Sequence, residues 1–289
     1  MSAGMNTRAG ILLMVGSTFV LAMQDGISRH LASEYNVLMI IMIRYWFFSA
    51  FVLAIAARGA GGLRKAATTR QPALQIGRGV LLAAEICVGV LAFTYLGLVE
   101  TLAIFICYPL IVAALSGSVL GERVGWRRWA AIGVGFVGVM VILRPGIGVF
   151  ELAAVLPLAS AVMFALYALM TRFAARQDTT ETSFFWTGIV GAIFMTAIGI
   201  WSWEPMTQTD SFWMFCLCLT GAMGHWLLIK CYEMAEASAV QPFAYFHLVF
   251  GALVGVSVFG ESIAWNVALG AVIVVGAGLF TFWRERQQG

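Results

Sequence analysis

Long, nearly uncharged apolar runs recur from one end of this chain to the other, and they restrict its fold more than any other feature. Each lasts about 20 residues, the length of helix that crosses the hydrocarbon core of a bilayer. Hydrophobic residues make up 61% of the sequence and charged ones 11%, against about 45–50% and 25% in an ordinary soluble domain. Such a surface needs lipid, where only helices and closed barrels satisfy every backbone group internally. The runs are continuous rather than alternating at every second residue, which argues against barrel strands. The pattern predicts an all-α integral membrane protein.

Ten spans are expected, near 10–31, 36–57, 74–96, 99–120, 127–143, 151–172, 182–201, 210–231, 238–260 and 263–283. The first run follows Arg8 and has no small-residue cleavage site before Gln24-Asp25-Gly26, so it reads as a retained span rather than a signal peptide. The loops are short, and the two longest, 58–73 and 173–181, read as polar connectors, so function is expected between the helices. With the N-terminus inside, 14 of the 17 Lys and Arg fall on the cytoplasmic side, Arg78 among them, and only Arg29 and Arg144 fall outside. Cationic loops stay in the cytoplasm, so both termini are expected there, in a plasma (inner) membrane protein.

The net charge of +3 comes from loops and forms no basic patch for a nucleic-acid backbone. Cys87, Cys107, Cys216, Cys218 and Cys231 lie in apolar stretches without metal-ligand spacing and read as small hydrophobes, so no metal is expected. There is no phosphate loop, no Gly-x-Ser-x-Gly within a span and no His-Glu-x-x-His, so neither a nucleotide cofactor nor an intramembrane enzyme is expected.

An internal repeat organises the spans. Leu120-Gly121-Glu122 closes the fourth and Phe259-Gly260-Glu261 the ninth, with Trp126 and Trp265 four residues past each glutamate, so one offset of 139 aligns both landmarks. An offset of 143 sets Ser28-Arg29 against Thr171-Arg172. Five is an odd number of spans, so the second copy enters the membrane from the opposite side. The loop after Glu122 carries Arg123, Arg127 and Arg128, and its counterpart after Glu261 carries no cation, as opposite-facing loops would. The expected architecture is a 5+5 inverted repeat, residues 1–145 and 146–289, which is the plan of many alternating-access carriers.

These landmarks, with a glycine-rich last helix in each half (Gly133, Gly135 and Gly138; Gly270, Gly276 and Gly278), resemble the EamA-type exporters of the drug/metabolite transporter superfamily. The resemblance covers nearly the whole chain. Glu85-Ile86-Cys87, the Tyr108-Pro109 step and Tyr167 are similar to the branch that exports aromatic and other amino acids. The resemblance implies a cavity between the halves lined by spans one, three, four, six, eight and nine, with spans five and ten peripheral. It also implies a secondary transporter exporting small metabolites, amino acids with large neutral side chains first, by alternating access. A multidrug or nucleotide-sugar carrier of the same plan is the alternative.

Ionisable groups inside a span cost about 2.5–3.5 kcal/mol at its centre, so each is a functional candidate. Glu85 sits in the middle of the third span, as a site for a substrate ammonium or coupling proton, or as a glutamate bonded between helices. His225 lies one residue past the position that the 139 offset assigns to Glu85, and His247 falls on Tyr108 by the same offset. Gln24, whose partner at offset 143 is Tyr167, is favoured over Asp25, which the sequence alone leaves between ligand and headgroup contact. Arg44 is read as extending its stem to the interface. Tyr95, Tyr108, Phe164, Tyr167, Trp226 and Tyr245 are candidates to line an apolar cavity, while Trp126, Trp129, Trp201, Trp203, Trp265 and Trp283 suit an interfacial belt. Pro109 and Pro242 interrupt spans four and nine, as kinks or as sources of free carbonyls.

Overall fold

The computed structural model describes residues 7–58, 62–121, 126–143, 152–235 and 237–286. Among them every regular element is helical. The first half holds α1 (Thr7–Glu34), α2 (Val37–Arg58), the short α3 (Gly62–Ala67), α4 (Pro72–Leu96), α5 (Leu98–Phe105), α6 (Tyr108–Leu120) and α7 (Trp126–Leu143). The second holds α8 (Val155–Ala174), α9 (Thr180–Gly199), α10 (Gln208–Met234), α11 (Ala237–Ala244), α12 (Phe246–Phe259) and α13 (Trp265–Arg286), with single 3₁₀ turns at Leu152–Ala154 and Ile200–Ser202.

Seven helical segments are long and apolar enough to cross a membrane, with α5 and α6 counted as one, and shorter apolar stretches lie at Ile132–Ile142, Phe246–Phe259 and Trp265–Ala277. The polar connector expected at 58–73 contains α3. The fourth span is not one helix. Pro109 has no N–H to offer the Phe105 carbonyl, so α5 ends at Phe105 and α6 restarts at Tyr108, with the proline in its first turn where the missing donor costs least. The ninth span breaks at Tyr245, which the 139 offset places against Ile106 of the first break. Pro242 lies within α11, before that break, and its side chain is outside the described residues. Gly121 and Gly260 end α6 and α12 at φ of 72° and 65°, the left-handed cap that glycine adopts without a Cβ clash.

Helix packing has a twofold pattern. α1 packs on α10 and α8 on α4; α1 also packs on α12 and α8 on α6; α5 meets α12 as α11 meets α6. The pairs α2 with α9 and α7 with α13 map onto themselves when the halves are exchanged. The halves also run in opposite senses. Cys231 Sγ, near the end of α10, lies 3.2 Å from the Gly10 carbonyl at the start of α1, while Arg172, near the end of α8, donates to the neighbouring Tyr232 carbonyl at 3.1 Å. Thus α8 finishes where α1 begins.

Two arginines correct the sequence reading. Arg78 is not a loop cation: it sits in the second turn of α4, fully buried, because Gln75, Tyr167, Thr171 and the Ser183 carbonyl supply its acceptors. Arg44 does not reach the interface either. It is buried against Gly221 of α10, where the absence of a Cβ makes room for its guanidinium. Trp126, Trp129, Trp201, Trp203 and Trp265 are exposed near helix ends, as an interfacial belt requires. Glu122, Arg123 and Arg144, the 145/146 boundary, and the side chains of Arg127, Arg128 and Trp283 lie outside the described residues.

Candidate functional site

Several of the polar and ionisable groups that are costly to bury in an apolar helix converge on one place. A narrow cavity of about 60 Å³ lies where α1, α4, α5, α8, α10 and α12 meet, the six elements that correspond to spans one, three, four, six, eight and nine. Gln24 and Asp25 of α1, Glu85 of α4, Thr101 of α5, Ser160 of α8, His225 of α10 and His247 of α12 supply its polar lining. Phe93, Phe105 and Phe164 supply the aromatic part.

The two carboxylates are each held by a group from the other half of the chain. Asp25 Oδ2 lies 2.8 Å from His247 Nε2, and Asp25 Oδ1 accepts a long 3.4 Å contact from Gln24 Nε2. Glu85 Oε1 accepts a 2.6 Å hydrogen bond from the Ser160 hydroxyl. Gln24 Oε1 and His225 Nδ1 are buried without a hydrogen-bond partner among the described residues. Behind the cavity, aromatic rings form a wall: Phe105 against Phe164 at 5.4 Å, Tyr108 edge-on to Phe164 at 4.9 Å, and Tyr167 edge-on to the His225 ring at 6.4 Å. Tyr167 ties this wall to Arg78, whose guanidinium reaches Asp178 through Gln75.

A wider cleft of about 700 Å³ opens at the end of the bundle where α1, α4 and α12 finish. Phe93 lines both spaces and so separates them. The cleft is spanned by an ion pair between Arg29 and Glu261, and Arg29 also lies 4.2 Å over the Phe259 ring. Glu261 further accepts from the Leu98 and Val99 N–H groups at 2.9 and 2.8 Å, placing a carboxylate at the positive N-terminus of α5. At the opposite end, Arg176 donates to the Leu120 carbonyl that closes α6.

Of the residues that the sequence singles out, Gln24, Glu85, Phe164, His225 and His247 line the cavity, while Tyr108 and Tyr167 stand behind it. Tyr245 is buried at the helix break, outside the lining. Tyr95 is 66% exposed and belongs to the outer cleft, and Trp226 is 42% exposed and faces a separate surface cleft with Phe184 and Phe185. Asp25 is the residue the sequence reading undervalued: its partner is 222 positions away, a distance at which local pattern is silent. Ser160 and Thr101 carry no charge to mark them.

The EamA-like transporter family pattern matches residues 8–144 and again 151–283. The chain belongs to that family. A riboflavin transporter of Vibrio cholerae is 27% identical over 96% of this chain and 94% of its own length. An S-adenosylmethionine uptake transporter of Rickettsia prowazekii is 24% identical over the same shares, 96% and 94%. A solved crystal structure superposes with a TM-score of 0.68 at 17% identity, covering 98% of this chain and 96% of that one, which establishes the shared fold. This EamA protein is therefore a membrane transporter of small molecules. The narrower likeness to amino-acid exporters is corrected: these relatives are named for a vitamin and a nucleoside cofactor, and one of them for uptake.

Proposed function

We propose that this EamA protein is a secondary carrier of a planar nitrogen heterocycle bearing a polar chain, with riboflavin as the first substrate to test and S-adenosylmethionine as the second. The observation that carries the reading is the cavity between the halves, where three phenylalanines stand beside carboxylate, amide and imidazole groups. Aromatic walls suit a flat ring, and the polar groups suit a hydroxylated or zwitterionic chain. The names of the two relatives support both substrates. In this reading Gln24, Asp25, Glu85, Phe164, His225 and His247 contact the substrate, and Tyr108 and Tyr167 hold the wall behind them.

The present cavity is smaller than the about 300–1,000 Å³ of a typical small-molecule site, so loading requires the halves to part. Alternating access follows: α5–α6 and α11–α12 bend at their breaks while the mirrored halves exchange conformations. We assign ten spans by adding α7, α11–α12 and α13 to the seven long ones, and place both termini in the cytoplasm, the Arg29–Glu261 cleft outside, and the whole in the plasma membrane. The test is uptake of labelled riboflavin and S-adenosylmethionine into proteoliposomes, with tryptophan and threonine as comparators. Saturable flux of one of the first two is expected; flux of neither above protein-free vesicles overturns the reading.

A further inference from the structure

Gln24 and His225 line the cavity from opposite halves of the chain, 5% and 3% exposed, and each keeps one polar atom, Oε1 and Nδ1, without a hydrogen-bond partner among the described residues. A buried polar atom left unpaired costs about 1–3 kcal/mol, so folding alone gives no reason to keep two of them at one site. An amide offers an acceptor and a donor side by side, the shape complementary to an adjacent donor and acceptor on a ring edge. The Gln24 Nε2 contact to Asp25 is long, at 3.4 Å, and leaves that donor little committed. A neutral imidazole adds a second acceptor or donor on the facing helix.

We infer that Gln24 and His225 are the specificity-determining residues, which read the hydrogen-bonding edge of the substrate heterocycle: the imide edge of a flavin, or the amino-pyrimidine edge of an adenine. Phe93, Phe105 and Phe164 accept the ring by its faces and are indifferent to which ring it is. The edge contacts are what separate a heterocycle with an N–H donor from its alkylated analogue. A site built to pair a substrate N–H rejects the analogue lacking it far more strongly than an apolar pocket rejects a shape change.

The inference rests on the transport reading above, and the experiment separates the two. In proteoliposomes, riboflavin is compared with N3-methylriboflavin, and S-adenosylmethionine with its N6,N6-dimethyl analogue, for the wild type and for Gln24→Leu and His225→Leu. Absence of flux for both parent compounds defeats the transport reading and this inference with it. Given flux, the wild type is expected to prefer the parent over its alkylated analogue by about 10-fold or more, as one lost hydrogen bond to a buried group implies. Gln24→Leu is expected to reduce that preference to near unity, mainly by slowing the parent compound. The wild type carrying both compounds equally, or Gln24→Leu keeping the preference, overturns it. Melting temperature without substrate supplies the second readout. Removing a buried amide with an unpaired Oε1 and only a long Nε2 contact leaves it unchanged or raised, whereas a Gln24 that merely holds helices together lowers it on substitution. Gln24→Asn, which keeps the amide on a shorter stem, is expected to restore part of the preference.

Discussion

Asp25 and His247 join the two halves through one 2.8 Å contact, both side chains buried, on helices α1 and α12. Their counterparts by the repeat offsets are Ala168 and Tyr108, so this contact exists on one side of the twofold only. Removing a single partner leaves the other buried and unpaired, at a cost of about 1–3 kcal/mol. His247→Phe and Asp25→Leu are each expected to lower the denaturation midpoint, while the double variant recovers most of the loss yet does not carry substrate. A chemical-denaturation cycle on the four proteins checks this; additive losses in the double variant contradict it. At this scale the sequence announces the cost of a residue but not its partner. Glu85, His225 and His247 were legible because an ionisable group in an apolar run needs a reason to be there. Asp25 was left open, and Arg44 and Arg78 were misread, because what satisfies or accommodates each comes from another helix, His247 from the second half for Asp25, Gly221 for Arg44, and Tyr167, Thr171 and Ser183 for Arg78.

Among elements, α5–α6 and α11–α12 are the broken helices, and the proposed cycle bends them at those breaks. The first break was legible in Pro109, since a residue without an N–H interrupts the ladder at a fixed place. The second was not, because α11 runs past Pro242 to Ala244 and breaks at Tyr245, where only the repeat register points. Pro109→Ala restores a donor for the Phe105 carbonyl and favours one continuous helix across Ile106 and Cys107. Stability in detergent is expected to hold or rise, and flux to fall several-fold, as measured by melting and by transport on the same preparation; an unchanged rate removes the hinge role. The clamp on α5 makes a second prediction. Glu261→Gln gives up the ion pair with Arg29 while an amide oxygen still accepts from the start of α5, so the helix is kept and the bridge across the cleft is weakened. With Val90→Cys as a reporter in the cavity lining, a membrane-impermeant thiol reagent applied outside is expected to label Glu261→Gln several-fold faster than the parent. Equal rates mean that the pair does not close this end.

For the whole molecule, orientation and alternation are linked claims. The buried position of Arg78 takes it out of the loop count, yet the remaining cations still favour one side, so reporters fused to the N- and C-termini are both expected to register the cytoplasm. Reporters on opposite sides break the five-plus-five reading, because only an even number of spans returns the chain to its starting face. Granted that orientation, the two ends of the bundle are unequal. At one end Phe93 stands between the cavity and an open cleft; at the other its counterpart by the 139 offset, Tyr232, is fully buried, its carbonyl held by Arg172, while Arg176 fastens the end of α6. In the proposed cycle, mirrored helix packing gives the reverse arrangement the same helix pairs with the halves exchanged, and a few bonds at each end decide between the two. Arg176→Ala removes one such bond from the cytoplasmic end alone. Loss of about 1.4 kcal/mol from one state changes the ratio of the two about tenfold. In inside-out vesicles the same Val90→Cys reporter is then expected to label faster in Arg176→Ala than in its parent, with the rate from the opposite face reduced. An increase from both faces points instead to general loosening of the bundle, and the two-state exchange fails.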